Sequence, residues 1–429
     1  MSASVPIAMT FGMIISLFFV VPMIDSRGRK FVAVYMRFFL GSATSTFLVL
    51  SAFLNSAELF FLSQILVGVN FFIQSFVTTM FIGECAADKN RGFATTFHSI
   101  MDVVVSLIVY YVSSPKVLGN EKWFIYPIVS FILCLAFVVA ASILPESPKY
   151  LVKKNEYLAA KRSIKFYQDK DADLEEVFNS LLRENNLVAK EKLSFRQVYK
   201  DKTLREALKI LFALELYEIF TPSAVERIYR ITLHNSLGFS AEQSLNLNFI
   251  LTLVFSPTRF VGSFLIDILG RRFIFFFSAA LMFLKTVLMA VAQFFAFFDG
   301  PSTLTRVFLV ISEASSDLIL ATGVSVLTSL FTLELFPAPA RVAVTQVNIF
   351  IYMLSSTPMM VLYPILNTTF PSAFYIPLIF MQLPIVIYLY RNMPETKARA
   401  VCDIVEDMEH VVRSRNTTIN EHAPLIGKT

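Results

Sequence analysis

The chain has 429 residues, 55% hydrophobic and 16% charged, with 45 phenylalanines and a mean hydropathy of +0.63. A soluble fold could not bury that much apolar surface, so lipid must serve as solvent for much of it. The net charge of +5 singles out no partner, and nothing in the sequence points to nucleic acid. Cys85, Cys134 and Cys402 give neither a disulfide framework nor metal-ligand spacing. No catalytic triad, nucleotide loop or metal cluster is visible, so no enzyme, metal or cofactor is expected.

In chain order, runs long enough to cross a hydrocarbon core of roughly 30 Å fall near 4–24, 33–54, 59–82, 93–113, 123–144, 207–232, 245–266, 273–298, 304–332, 343–366 and 371–390. That is about eleven spans, predicting an all-α, multi-pass membrane protein. Basic residues cluster in alternate connections. Arg27, Arg29, Lys30 and Arg37 follow the first run, and Lys89 and Arg91 the third. Lys and Arg crowd 149–209, Arg271 and Arg272 follow the seventh run, Arg341 the ninth, and Arg391 opens the tail. The positive-inside rule places these connections in the cytoplasm and the N-terminus outside.

The connection 145–206 carries two helical stripes, one over Tyr157–Ile164 and one formed by Leu174, Val177, Phe178, Leu181 and Leu182. Two cytoplasmic helices against the bundle are expected, with a disordered linker as the alternative. The expected organisation is an N-terminal bundle over 1–144, a cytoplasmic linker over 145–206, a six-helix bundle over 207–391 and a cytoplasmic tail over 392–429. The tail begins with a helical period (Val401, Ile404, Val405, Met408) and ends polar.

One charged turn occurs twice. Asp25-Ser26-Arg27-Gly28-Arg29-Lys30 joins the first two runs and Asp267-Ile268-Leu269-Gly270-Arg271-Arg272 joins the seventh and eighth. Glu84 with Arg91-Gly92, then Pro145-Glu146-Ser147-Pro148-Lys149-Tyr150-Leu151, closes the first half. Glu334-Leu335-Phe336-Pro337 with Arg341, then Pro394-Glu395-Thr396-Lys397, closes the second. The chain is therefore internally duplicated. In this order, and with Ser194-Phe195-Arg196-Gln197-Val198-Tyr199, the set resembles the sugar-porter branch of the major facilitator superfamily over nearly the whole chain. The related organic-cation transporters share part of it.

The resemblance implies a major facilitator fold, with two pseudo-symmetric helical bundles plus cytoplasmic helices. It also implies alternating-access transport of a small polar solute bound near the bilayer midplane. A sugar or polyol is the family expectation, with an organic cation and proton coupling as alternatives. In that family the acid-Gly-Arg-Arg turn follows the second helix, whereas here one span precedes Asp25. The family's first helix is thus expected to be missing, through a truncated product or gene model, or through a reduced first half. A non-transporting sensor or pseudo-transporter is the competing reading.

The resemblance further implies gating ion pairs at the cytoplasmic face. Asp25, Arg29, Glu84, Arg91 and Glu146 would form them in the first half, and Asp267, Arg271, Glu334, Arg341 and Glu395 in the second. Arginine forks hold carboxylates at helix ends, and such clusters are expected to break as the halves rock apart. The alternative is that the bases mark topology alone, but topology would not require the acids.

Ionisable groups inside spans are candidates for the substrate path. Glu215 and Glu218 share one helix face, with Thr221 one turn on, where sugar porters carry cavity-facing glutamines. An ionised carboxylate only accepts hydrogen bonds, so the pair suits a cation or a coupling proton; a structural partner such as Lys209 is the alternative. His98 and Asp102 lie at i and i+4, either as a proton relay or as a helix–helix contact. Asp317, Gln346, Asn348 and Tyr352 complete the candidates. Glu313 and Lys285 suit an interhelix partner as well as substrate. Arg259, Glu226, Arg227 and Arg230 lie near span ends and are expected to snorkel. Gly323–Ser329 lacks the prolines and tryptophan usual in the family, which weakens a hexose assignment.

Glu421, Leu425 and Ile426 form an acidic dileucine pattern that predicts a clathrin-adaptor signal. The expected location is the plasma membrane or an endosomal or lysosomal membrane. The protein is expected to function as a monomer, with lipid, the small-molecule substrate and protons as the other partners.

Overall fold

The computed structural model describes residues 4–86, 91–119, 121–168, 173–190, 193–322, 331–332 and 334–397; side chains at 91–93, 98, 259–267 and 356 are among those not described. The tail, including Glu421, Leu425 and Ile426, and the stretch Gly323–Ser329 lie outside these residues.

Helix α1 spans Ser4–Arg27. A π-helical turn, Phe31–Met36, leads into α2, Arg37–Leu54, which ends on Asn55 in the left-handed region (φ 50°). Helix α3, Ala57–Phe72, starts where the Ser56 side chain accepts from the Leu59 N–H. It continues through a second π-helical turn, Ile73–Thr78, into α4, Thr79–Cys85. Helices α5 (Arg91–Val112) and α6 (Ile125–Ser142) complete the first half. Helices α1 and α3 pack through glycines: a Cβ on Gly12 would lie 2.0 Å from the Ile65 carbonyl oxygen, and one on Gly68 1.9 Å from that of Met9. Small residues permit this backbone approach in a membrane, where packing rather than hydrophobicity joins helices.

The two helical stripes of the connection fold as α8 (Tyr157–Tyr167) and α9 (Leu174–Lys190), preceded by a short helix α7 (Pro148–Lys153). Tyr150, Leu151, Val152, Ala160, Ile164 and Phe178 form their shared core. Helix α10, Phe195–Lys200, is closed by a Ser194–Gln197 capping box and packs Val198 into the second half.

The sixth predicted run is not one helix. It divides into α11 (Lys202–Ile219) and α12 (Ser223–Ser236), separated at Phe220–Pro222, and α12 is kinked again at Tyr229. Pro222 has no N–H to continue the ladder. Helices α13 (Ala241–Leu269), α14 (Arg271–Phe298) and α15 (Thr303–Ala321) follow. Helix α16, Ala338–Thr369, a short 3₁₀ turn and α17, Tyr375–Asn392, end the bundle.

Among the described residues, Ile7–Arg27, Phe31–Leu54, Ala57–Cys85, Ile125–Ser142, Arg271–Phe298 and Pro371–Asn392 are long and apolar enough to cross a membrane by composition alone. The other predicted runs fold as α5, α11 with α12, α13, α15 and α16, whose sequences carry more polar groups or proline. The halves meet along α1 with α16 and α5 with α13.

Candidate functional site

At the end of the first half that carries the charged turn, Gly28 has φ +104°, so the chain turns sharply out of α1. Arg29 then points at Glu84 at the end of α4, with Nε 3.1 Å from Oε2 and Nη2 3.5 Å from Oε1. Asp25 lies 3.6 Å from the same guanidinium and 2.7 Å from Lys153. The Ser147 hydroxyl, which caps α7, also donates to Glu84. Glu146 differs from the expected ion pair: its carboxylate accepts from the backbone N–H groups of Lys30 at 2.9 Å and Ser147 at 2.9 Å. It thereby satisfies N–H groups left open at a helix start, where the backbone dipole favours an anion. Arg29 also stacks on Tyr150, whose hydroxyl donates to the Ser26 carbonyl at 2.8 Å. Burial, reinforced by the Glu146 charge, pushes the Tyr150 phenol above its usual range.

The second half repeats this arrangement. Gly270 has φ +94°; Arg271 places Nη2 3.2 Å and Nε 3.3 Å from Glu334 Oε1. Thr396 replaces Ser147 in donating to Glu334. Glu395 accepts from the backbone N–H groups of Arg271 and Arg272, each at 3.1 Å. Arg341 donates through Nε to the Phe336 carbonyl at 2.9 Å. The side chains of Arg91 and Asp267 lie outside those described.

The pairings described here join elements of one half. Arg29 with Glu84, and Arg271 with Glu334, fasten each bundle internally, so rocking of the halves need not break them.

The candidates for the substrate path separate into groups. Glu215 is buried and accepts from Asn348 Nδ2 at 2.6 Å, linking α11 to α16. Glu218 is exposed and lies within electrostatic reach of Arg227 and Tyr352. Tyr352 also packs against the first-half core around Phe72 and Val32, so these acids face the seam between halves. Lys209, a sequence-based partner for them, pairs instead with Glu206 at 2.7 Å. Thr221 is buried and its hydroxyl donates to the Glu218 carbonyl at 2.8 Å, bracing the broken helix. Gln346 is exposed, and Asp317 is buried on α15. Asp102 is exposed and faces Arg37 electrostatically. The His98 side chain is not among those described.

Two features are missing from the sequence reading. Gln382 of α17 donates to the Phe220 carbonyl at 2.9 Å, satisfying an acceptor freed by the helix break, and to Thr286 Oγ1 at 3.1 Å. A buried charge cluster also joins α12, α14 and α15 of the second half. Lys285 pairs with Glu226, both with side chains only 4% exposed. Glu313 lies 3.5 Å from His234 Nε2 and 3.9 Å from Arg230 Nε. Glu226 and Arg230, expected to snorkel, turn inward because α12 runs on to Ser236, which places them inside the helix.

The profile described as "Sugar (and other) transporter" matches residues 1–407. The chain belongs to the sugar (and other) transporter family. Within that family it is 22% identical over 253 residues to the arabinose-proton symporter of Escherichia coli (strain K12), covering 57% of this chain and 50% of that one. The chain thus spans about half the length of that relative. It is 22% identical over 404 residues to the facilitated glucose transporter member 5 of Bos taurus, covering 92% and 78%. The inward open xylose transporter XylE from E. coli superposes with a TM-score of 0.69 at 15% identity, over 95% of this chain and 89% of that one. That likeness gives this transporter-family chain the major facilitator fold, as a multi-pass helical membrane protein.

Proposed function

We propose that the protein moves a small neutral polyhydroxylated solute, a sugar or polyol, across a membrane by alternating access. The observation that carries this reading is the hydrogen-bonding chemistry at the seam between the halves. Glu215 is engaged by Asn348, and Glu218 faces Arg227. Amide, phenol, guanidinium and carboxylate groups together accept from and donate to hydroxyls, as a polyhydroxylated solute requires. Sugar-named relatives, one of them a proton symporter, support the same class and proton coupling. The two fastened bundles supply rigid bodies able to rock about the seam.

Uptake into proteoliposomes of labelled pentoses, hexoses and polyols, set against tetraethylammonium, tests this. Saturable sugar or polyol uptake is expected. Uptake of the cation alone overturns the substrate class, and ligand binding without any flux favours a sensor. For location, the tail pattern Glu421, Leu425 and Ile426 supports adaptor-directed delivery to endosomal or lysosomal membranes. Replacing Leu425 and Ile426 by alanine is then expected to raise the surface fraction, measured by surface biotinylation; an unchanged fraction counts against the signal. Monomeric function is expected to appear as a single-protomer mass in detergent.

A further inference from the structure

The buried cluster of the second half is not needed to hold a neutral solute, yet it reaches the other half. Arg230 of α12 donates through Nη1 to the Tyr110 hydroxyl of α5 at 3.0 Å and to Asn248 of α13 at 3.1 Å. Nearby, Lys116 and Glu242 pair at 2.7 Å across the same outer side. Of the two buried carboxylates, Glu226 has a close ammonium partner in Lys285. Glu313 does not: Arg230 Nε stands 3.9 Å away and spends its Nη1 elsewhere. The other group on Glu313 is His234, fully buried, whose Nδ1 lies 2.6 Å from the Ser244 hydroxyl and whose Nε2 faces Glu313. Lys285 of α14, Glu226 of α12 and Tyr375 of α17 also act on Glu313 electrostatically. Tyr363 of α16 faces Glu226.

We propose that Glu313 and His234 form a proton-binding site whose occupancy controls, through Arg230, the contact between the halves at their outer ends. The inference rests on the alternating-access reading. With Glu313 ionised, the half-buried Arg230 cation is compensated and stays directed at Tyr110. A proton taken from the outer solution by His234 gives an imidazolium 3.5 Å from Glu313, which draws the carboxylate's charge away from Arg230. A half-buried cation that must share its counter-charge gains by hydration, so the outer contact loosens. By linkage, the outward-open state binds that proton more tightly by the factor through which the proton favours it. Release to the cytoplasm follows when the outer contact closes again.

Spin labels at Val117→Cys and Ala241→Cys, with Cys85, Cys134 and Cys402 replaced, report the outer distance by double electron–electron resonance in nanodiscs. Between about pH 8 and about pH 5.5, a window that spans imidazole titration, the open population is expected to rise several-fold. Glu313→Gln is expected to be insensitive to pH and to show the acid-like distribution throughout. His234→Gln is expected to flatten the response, and Tyr110→Phe to raise the open fraction at every pH. A parent without the pH response, or a Glu313→Gln variant that folds and keeps it, overturns the site. If Glu313→Gln does not fold, an unaltered response in His234→Gln overturns it. A parent that moves solute but ignores pH defeats the proton site and leaves transport standing. A parent that responds to pH without solute flux does the reverse.

Discussion

Glu146 closes over Gly28 so tightly that a methyl group on that glycine would sit 2.2 Å from the carboxylate oxygen Oε2. The same relation recurs between Glu395 and Gly270 at 2.7 Å. Both glycines have positive φ, so each combines a backbone conformation that disfavours L side chains with a space reserved for an anion. Gly28→Ala is expected to lose about 1–3 kcal/mol to backbone strain, and more as Glu146 leaves the Lys30 N–H. Gly270→Ala is expected to be milder. Thermal unfolding in detergent, monitored by intrinsic fluorescence, checks the order; equal and negligible shifts would contradict the packing.

Arg29 and Arg271 are expected to stabilise their own halves. Arg29→Lys should not restore what Arg29→Ala loses, because an ammonium cannot span both Glu84 oxygens as a guanidinium fork does. Proteolytic resistance and solute exchange are both expected to fall, with ligand affinity changing less than turnover. A variant of normal stability that fails only in turnover would instead indicate a contact between halves.

How much of this could be read from the sequence depends on whether the partners lie in one local pattern. The turns around Gly28 and Gly270 are legible because acid, glycine and paired bases sit together between apolar runs. Helices α8 and α9 are legible from their stripes. The break at Phe220–Pro222 has a signal in Pro222, but a proline within a long run also fits a single kinked span. Its consequence follows: Glu226 and Arg230 look like span-end residues when the run is closed at 232, but α12 extends to Ser236. His234 and Glu313 are 79 positions apart and meet only in the folded bundle, as side chains of α12 and α15. Gln382 left a faint signal, a lone amide in the apolar run 371–390, but nothing local pointed it at the Phe220 carbonyl.

Gln382→Leu leaves that carbonyl without its donor in an apolar setting. The expected cost is about 1–3 kcal/mol, with a matching loss of thermal stability. Gln382→Glu, which cannot donate when ionised, is expected to be at least as damaging. A Gln382→Leu variant as stable as its parent would mean that the break is satisfied without α17.

Lys285 and Glu226 are expected to be coupled. Removing either partner from a buried ion pair typically costs about 3–5 kcal/mol, because the other charge is left unpaired. The double substitution Lys285→Met with Glu226→Leu is expected to recover most of the loss suffered by either single change. Additive losses in that double-mutant cycle would refute a direct pair.

The central claim is that two internally fastened bundles rock about a polar seam, and paired distances test it most directly. One label pair reports the outer side (Val117→Cys with Ala241→Cys) and another the cytoplasmic side (Leu158→Cys with Tyr199→Cys). In nanodiscs, adding a transported sugar or polyol is expected to change the two distances in opposite directions. Outer and cytoplasmic distances that both stay fixed, or that open and close together, would contradict the account.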